Sequence, residues 1–160
     1  MFGLARKLST KGVLGINARN CNYILRHNPR RLYPLVDDKL ATKRLAIAAG
    51  LPVPDLYGVI ASHRDVRELP KLVAGHRDFL LKPAHGSGGD GILVVSARVR
   101  DGSAYRLVDG TIMDGDDIGH HLSNIISGQY SLGGHRDVAL IEYCVKFDPI
   151  FSECAYRGIP

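Results

Sequence analysis

Apolar residues recur at two spacings along the chain, and the switching between them outlines a protein of mixed α and β structure. Residues 2–9 read as a short helix and Gly12 to Gly15 as a turn. Over residues 17–27, Ala18, Cys21, Ile24 and Leu25 keep helical spacing, and Asn28-Pro29 ends the run. Asp37 or Asp38 can cap a helix to Ala49, with Gly50 as its stop and Pro52 and Pro54 beyond. Residues 56–60 form a short β-type run, and Ser62, with Asp65 behind it, opens a helix to about Ala74. Residues 79–82, 92–97 and 105–108 are three further strands. Asp114 caps a helix through Ile126 that Gly128 stops, and residues 138–145 and 151–156 close the pattern as strands. Hairpins outnumber βαβ units, so the expected class is α+β with a small antiparallel sheet.

Composition changes this picture little. The chain has 160 residues, 45% hydrophobic and 23% charged, within the range of an ordinary globular protein. No run approaches the roughly 20 apolar residues of a membrane span. Cys21, Cys144 and Cys154 are odd in number and lack any ligand spacing, which argues against a disulfide framework or structural zinc. The expectation is a soluble cytoplasmic protein. Charge adds a division. Residues 1–50 carry ten Lys/Arg against Asp37 and Asp38, whereas residues 51–160 carry eleven against fourteen acids. Residues 1–36 are expected as a basic helical segment and residues 37–160 as the main domain. A basic segment suits nucleic acid, an anionic surface or a phosphorylated ligand, and equally a solvated helix face.

The densest chemistry lies between Phe79 and Val95, where Lys82-Pro83 precedes Gly86, Ser87, Gly88, Gly89, Asp90 and Gly91. Four glycines in six positions let backbone N–H groups turn toward phosphate oxygens. Ser87 adds a hydroxyl, and Lys82 ends a strand within reach. Gly86, Gly88 and Gly91 satisfy the dinucleotide fingerprint formally, but a strand follows where that motif needs a helix. The Gly-Lys-Ser/Thr end of a P-loop is absent. His-Arg-Asp occurs at 63–65, 76–78 and 135–137, yet Pro70, Pro83 and Glu142 stand where a kinase needs Asn.

Three blocks in order then resemble the ATP-grasp superfamily. The first runs from Asp38-Lys39 to Gly50-Leu51-Pro52-Val53-Pro54, the second is Leu81-Lys82-Pro83 with the loop 86–91, and the third is Leu140-Ile141-Glu142-Tyr143-Cys144-Val145. The resemblance implies that Lys39 approaches ATP phosphates, that Lys82 contacts the α and β phosphates, and that the glycine loop covers the nucleotide. It implies that backbone at Glu142, Tyr143 and Val145 holds the adenine edge and that Asp148 serves the ribose. Gly15 to Asn20, Asn28 to Lys39 and Ser127 to Gly134 are similar, more narrowly, to the alpha-L-glutamate ligase-like branch.

Such a relative joins a carboxylate to an amine through an acyl phosphate, with ATP and Mg2+ as cofactors. The carboxylate and amine are not named by the sequence. Magnesium ligands of the family lie on strands beyond the adenine hinge, together with an Asp-x-Arg. They are not found here, so the expectation is an N-terminal half, the first subdomain and the start of the second, with no catalytic residue assigned. Asp114, Asp116 and Asp117 lie together, but helix capping explains them better than a metal. His85 is a candidate for phosphate contact, His120 and His121 for ordinary core or surface positions, and Arg30 and Arg31 for anion steering or solvation. Residues 128–134 are a substrate loop or a plain connection. Behind the ligase reading stand a non-catalytic nucleotide-binding module and, third, a basic nucleic-acid-binding domain.

Overall fold

The structure is a computed structural model that describes residues 2–146; the expected strand at 151–156, Cys154 and Asp148 lie outside them. The chain forms two compact units that part between Asp37 and Asp38. The first is a series of short helices: Phe2–Thr10, Ile16–Arg19, a π turn at Asn20–Ile24, Leu25–His27, Arg30–Leu32 and Pro34–Asp37. No described side chain before Asp38 is fully buried, as expected of a segment too small to enclose a core.

The second unit is built on one six-stranded sheet. Its strands are β1 (Leu56–Ile60), β2 (Phe79–Pro83), β3 (Leu93–Val99), β4 (Ala104–Leu107), β5 (Ile112–Asp114) and β6 (Ala139–Glu142). They lie in the order β1-β6-β2-β3-β4-β5, every pair antiparallel. The class is therefore α+β, with helices on a small antiparallel sheet, as the sequence pattern predicts. The last of the described strands, β6, enters between β1 and β2, and so brings the third sequence block beside the second.

Period-two alternation sorts the side chains of β2 and β6 onto two faces. Phe79, Leu81, Ala139 and Ile141 join Ile60, Val95 and Leu107 in the main core. The helix Gly115–Ile126 covers that face with Ile118, Leu122, Ile125 and Ile126, all buried. Each such side chain contributes about 1.5–3 kcal/mol on leaving water. Phe79 meets Tyr105 edge to face, centroids 5.8 Å apart. The opposite face carries Lys82, Leu140 and Glu142, and a smaller cluster of Leu40, Ala84 and Leu140 seats the helix Lys39–Ala48 there.

Several boundaries differ from the pattern for identifiable reasons. The helix opened by Ser62 shrinks to a 3-10 turn at Asp65–Glu68 and one helical turn at Leu69–Leu72, because Pro70 donates no N–H and restricts Leu69. Ser62 is not its cap; instead Asp65 accepts from the Ser62 backbone N–H at 2.9 Å. β5 is an additional strand. It pairs with β4 through a turn in which Asp109 accepts from Thr111 N–H at 2.9 Å and Gly110 takes φ 87°.

Caps fix both long helices. Asp38, rather than Asp37, accepts from Leu40 and Ala41 N–H at 2.8 and 3.1 Å. Asp114 accepts from Asp116 and Asp117 N–H, both at 2.9 Å, while Asp117 accepts from Asp114 N–H at 3.1 Å. The carboxylates of Asp114 and Asp117 thus form a capping box, which Asp116 joins through its backbone N–H. Asp114→Ala is expected to cost about 1 kcal/mol, read as a lower urea midpoint with an unchanged slope.

Candidate functional site

Lys82 stands on β2 one residue before the strand ends, on the face away from the main core. Lys82 is register partner to Leu140 on β6, and Leu80 to Glu142, so Lys82 and Glu142 are diagonal neighbours on one face. Their side chains form an ion pair, Lys82 Nζ to Glu142 Oε1. Lys43, on the Lys39–Ala48 helix, brings Nζ to 2.9 Å from Glu142 Oε2. This second contact is an ion pair by distance, with an angle that leaves Oε2 without a well-directed hydrogen bond. Lys43 also donates to the Pro54 carbonyl at 2.5 Å. The exposures rank clearly: Glu142 1%, Lys43 6%, Lys82 20%. Lys43 belongs to the site and was not among the sequence candidates.

The glycine loop leaves β2 directly. Ser87, Gly88, Gly89 and Asp90 are exposed and Gly86 half-buried. Gly91 is required: its φ is 75°, and a Cβ there would lie 2.6 Å from the Tyr130 ring. Lys39 holds the base of the loop, its Nζ donating to the carbonyls of Ala84, at 3.2 Å, and Gly86. Gly86 bridges to Ser131 in an antiparallel contact. At the far end, His121 Nε2 donates to the Gly91 carbonyl at 2.9 Å, and Tyr130 O–H faces His121 Nδ1 at 3.4 Å. Burial pushes the His121 ring below its ordinary pKa; the Gly91 bond opposes this and His120 adds to it. The neutral tautomer with the proton on Nε2 fits all these contacts.

Tyr130, Ser131 and Asp137 therefore brace the glycine loop, a part that the sequence reading of the 128–134 stretch as a substrate loop or a plain connection does not include. Asp137 is the centre of that brace. Its buried carboxylate accepts from His85 N–H at 3.0 Å, Val138 N–H at 2.7 Å and Ser131 O–H at 2.5 Å, and lies 2.8 Å from His85 Nδ1. The His85 ring is thus committed to Asp137 on one side, with Nε2 3.9 Å from Asp38. Ser131 bonds the Asp and not the His, so no nucleophilic triad exists here.

The three His-Arg-Asp repeats have unrelated tasks. Asp65 caps a turn, Asp78 pairs with Lys146 at 2.6 Å, and Asp137 braces the loop. At the hinge, the chain leaves the sheet after Glu142. Tyr143 N–H donates to the Asp55 carbonyl at 2.8 Å, and the Tyr143 and Val145 side chains are exposed. Among the described residues no group of three or more His, Cys, Asp or Glu can hold a metal ion, and no helix is long and apolar enough to cross a membrane.

Desolvation raises the Asp137 pKa, but the bonds from Ser131, His85 and Val138 outweigh it and hold the carboxyl below the usual range. A carboxylate depressed on folding stabilises fully above its unfolded value and loses that contribution as pH falls through the folded value. Asp137→Asn is therefore expected to be less stable at neutral pH by about 1.5–3 kcal/mol. Its urea stability should also fall less steeply than that of wild type below about pH 4.

No curated protein and no solved structure matches the chain. The model of the sugar-transfer associated ATP-grasp family does match, over residues 18–160. That span takes in all three ordered blocks, the lysine before the glycine loop, the loop's brace and the hinge after β6, and on this match the chain belongs to the sugar-transfer associated ATP-grasp family.

Proposed function

We propose that this chain grips ATP for a ligase that activates a carboxylate as an acyl phosphate and passes it to an amine. The observation that carries the reading is the placing of Lys82 and Glu142 as neighbours on one sheet face, with the 86–91 loop following Lys82 out of β2 and the 142–145 hinge following Glu142 out of β6. A cation near a strand end, a run of glycines able to present N–H groups and a hinge where the chain leaves the sheet match the three parts of a nucleotide: phosphates, their cover and the base. Lys82 would meet the α and β phosphates. Lys39 is engaged with loop carbonyls, so its support for phosphate would run through the shape of the loop. Ser87, Gly88 and Gly89 would face the phosphates, with Gly86 and Gly91 fixed at the two ends. Asp148 remains the proposed ribose partner.

In the proposed reaction a carboxylate oxygen attacks the γ phosphorus, the bond to the β–γ bridging oxygen breaks, and ADP leaves. An amine then displaces phosphate and forms the amide. What this chain contributes is position and fixed positive charge. Among the described residues no group of three or more His, Cys, Asp or Glu gathers to hold a metal ion; Mg2+ takes one or two carboxylates together with substrate phosphates and waters, and no residue and no step is assigned to it. The family description speaks for an acceptor connected with sugar transfer. The narrower likeness to alpha-L-glutamate ligases speaks for a glutamate-type donor.

A second reading is a nucleotide-binding module without catalysis. Calorimetry with ATP tests the shared part. Wild type is expected to bind, and Lys82→Met to lose about ten- to a hundredfold in affinity, the worth of a charge-assisted hydrogen bond. Equal binding by the two proteins would remove Lys82 from the site. ADP release that depends on an added carboxylate separates ligase from module.

A further inference from the structure

Glu142 raises a question of charge that Lys82 alone does not answer. A carboxylate that is 1% exposed needs a cation beside it. Lys82 supplies one, yet Lys82 is also the residue best placed to meet phosphate. Were it the only partner, every nucleotide would have to leave a buried anion bare, at a cost that would cancel most of the attraction.

The second cation is placed differently. Lys43 is buried and anchored by its bond to the Pro54 carbonyl. It rides on a helix that Asp38 caps and that Leu40 seats against Ala84 and Leu140. Lys82 is more exposed and lies next to the loop. Glu142 Oε2, close to Lys43 but without a well-directed hydrogen bond, retains acceptor capacity on that side. Lys43 is held at two points, the Pro54 carbonyl and Glu142, and Lys82 Nζ at Glu142.

We infer that Lys43 is a positioning residue: it is the resident counter-ion of Glu142, and it releases Lys82 to pass from Glu142 to the phosphates of a bound nucleotide. The inference deepens the nucleotide reading above and rests on it. Lys43 touches no ligand. Its effect runs through Lys82 and therefore reaches only ligands that carry phosphate.

Titration of the whole chain with ATP, ADP and adenosine tests this. Lys43→Met is expected to weaken ATP and ADP by about tenfold or more, because Glu142 then retains Lys82, while adenosine affinity stays at the wild-type level. Lys43→Arg should keep most of the ATP affinity. Glu142→Gln should bind ATP at least as tightly as wild type, since Lys82 no longer has an anion to leave. In that background Lys43→Met should have no further effect. Wild-type ATP affinity in Lys43→Met overturns the inference, and so does equal loss of ATP and adenosine, which marks Lys43 as structural only. If Lys43→Met does not fold, Glu142→Gln decides: weaker ATP binding than wild type overturns the proposal. A wild-type chain that binds neither ATP nor ADP fails the nucleotide reading itself, and the inference falls with it.

Discussion

A carboxylate sealed from water must be matched by positive charge, and the arrangement around Glu142 follows from that constraint. Its two oxygens face lysines from two different elements, Lys82 on β2 and Lys43 on the Lys39–Ala48 helix. The helix is thereby held to the sheet face where apolar contact is thinnest, a cluster of only Leu40, Ala84 and Leu140 among buried residues. The Pro54 carbonyl joins the group through Lys43 and brings in the segment that leads to β1. Four stretches of chain thus meet at a single side chain, on the face that bears the glycine loop.

The loop depends on the same principle of distant anchoring. A run of glycines has little stiffness of its own, yet both ends of this one are fastened. Lys39 and Asp137 hold the base, and His121, with Tyr130 behind it, holds the exit at Gly91. None of these anchors is a neighbour in sequence. They leave the exposed centre, Ser87 to Asp90, unbraced by any of these side chains, as a phosphate cover needs to be. The loop joins the two strands of a hairpin, β2 and β3, and is followed by a strand and not by a helix.

Much of the fold was readable because it is written locally. The caps at Asp38 and Asp114, the stop at Gly50 and the alternation in β2 depend on residues within a few positions of one another. The Asp109-Gly110 turn was equally local, and reading it would have revealed β5. The long helix expected after Ser62 is absent because Pro70 breaks it into a 3-10 turn and a single helical turn. The site was half legible. Lys82 and the glycines stand out by type and spacing, but Lys43 is one more lysine on a helix until β6 is threaded beside β2. Asp137 lies 52 residues from His85, and His121 lies 30 from Gly91. Such pairs leave no trace in periodicity, and a single chain offers no other signal for them.

The alternation on β6 also bears on how the chain finds its pairing. Ala139 and Ile141 belong to the main core, whereas Leu140 and Glu142 face the other way. A slip of one residue against β1 and β2 would exchange the faces. Glu142 would enter an apolar layer that contains no cation, and Lys43 and Lys82 would be left opposite Ile141. The misaligned sheet would be penalised twice, once on each side. The charged cluster on that face thus also works as a registration mark, rejecting the near-miss pairing to which a four-residue strand with three apolar positions, inserted between two others, is most exposed.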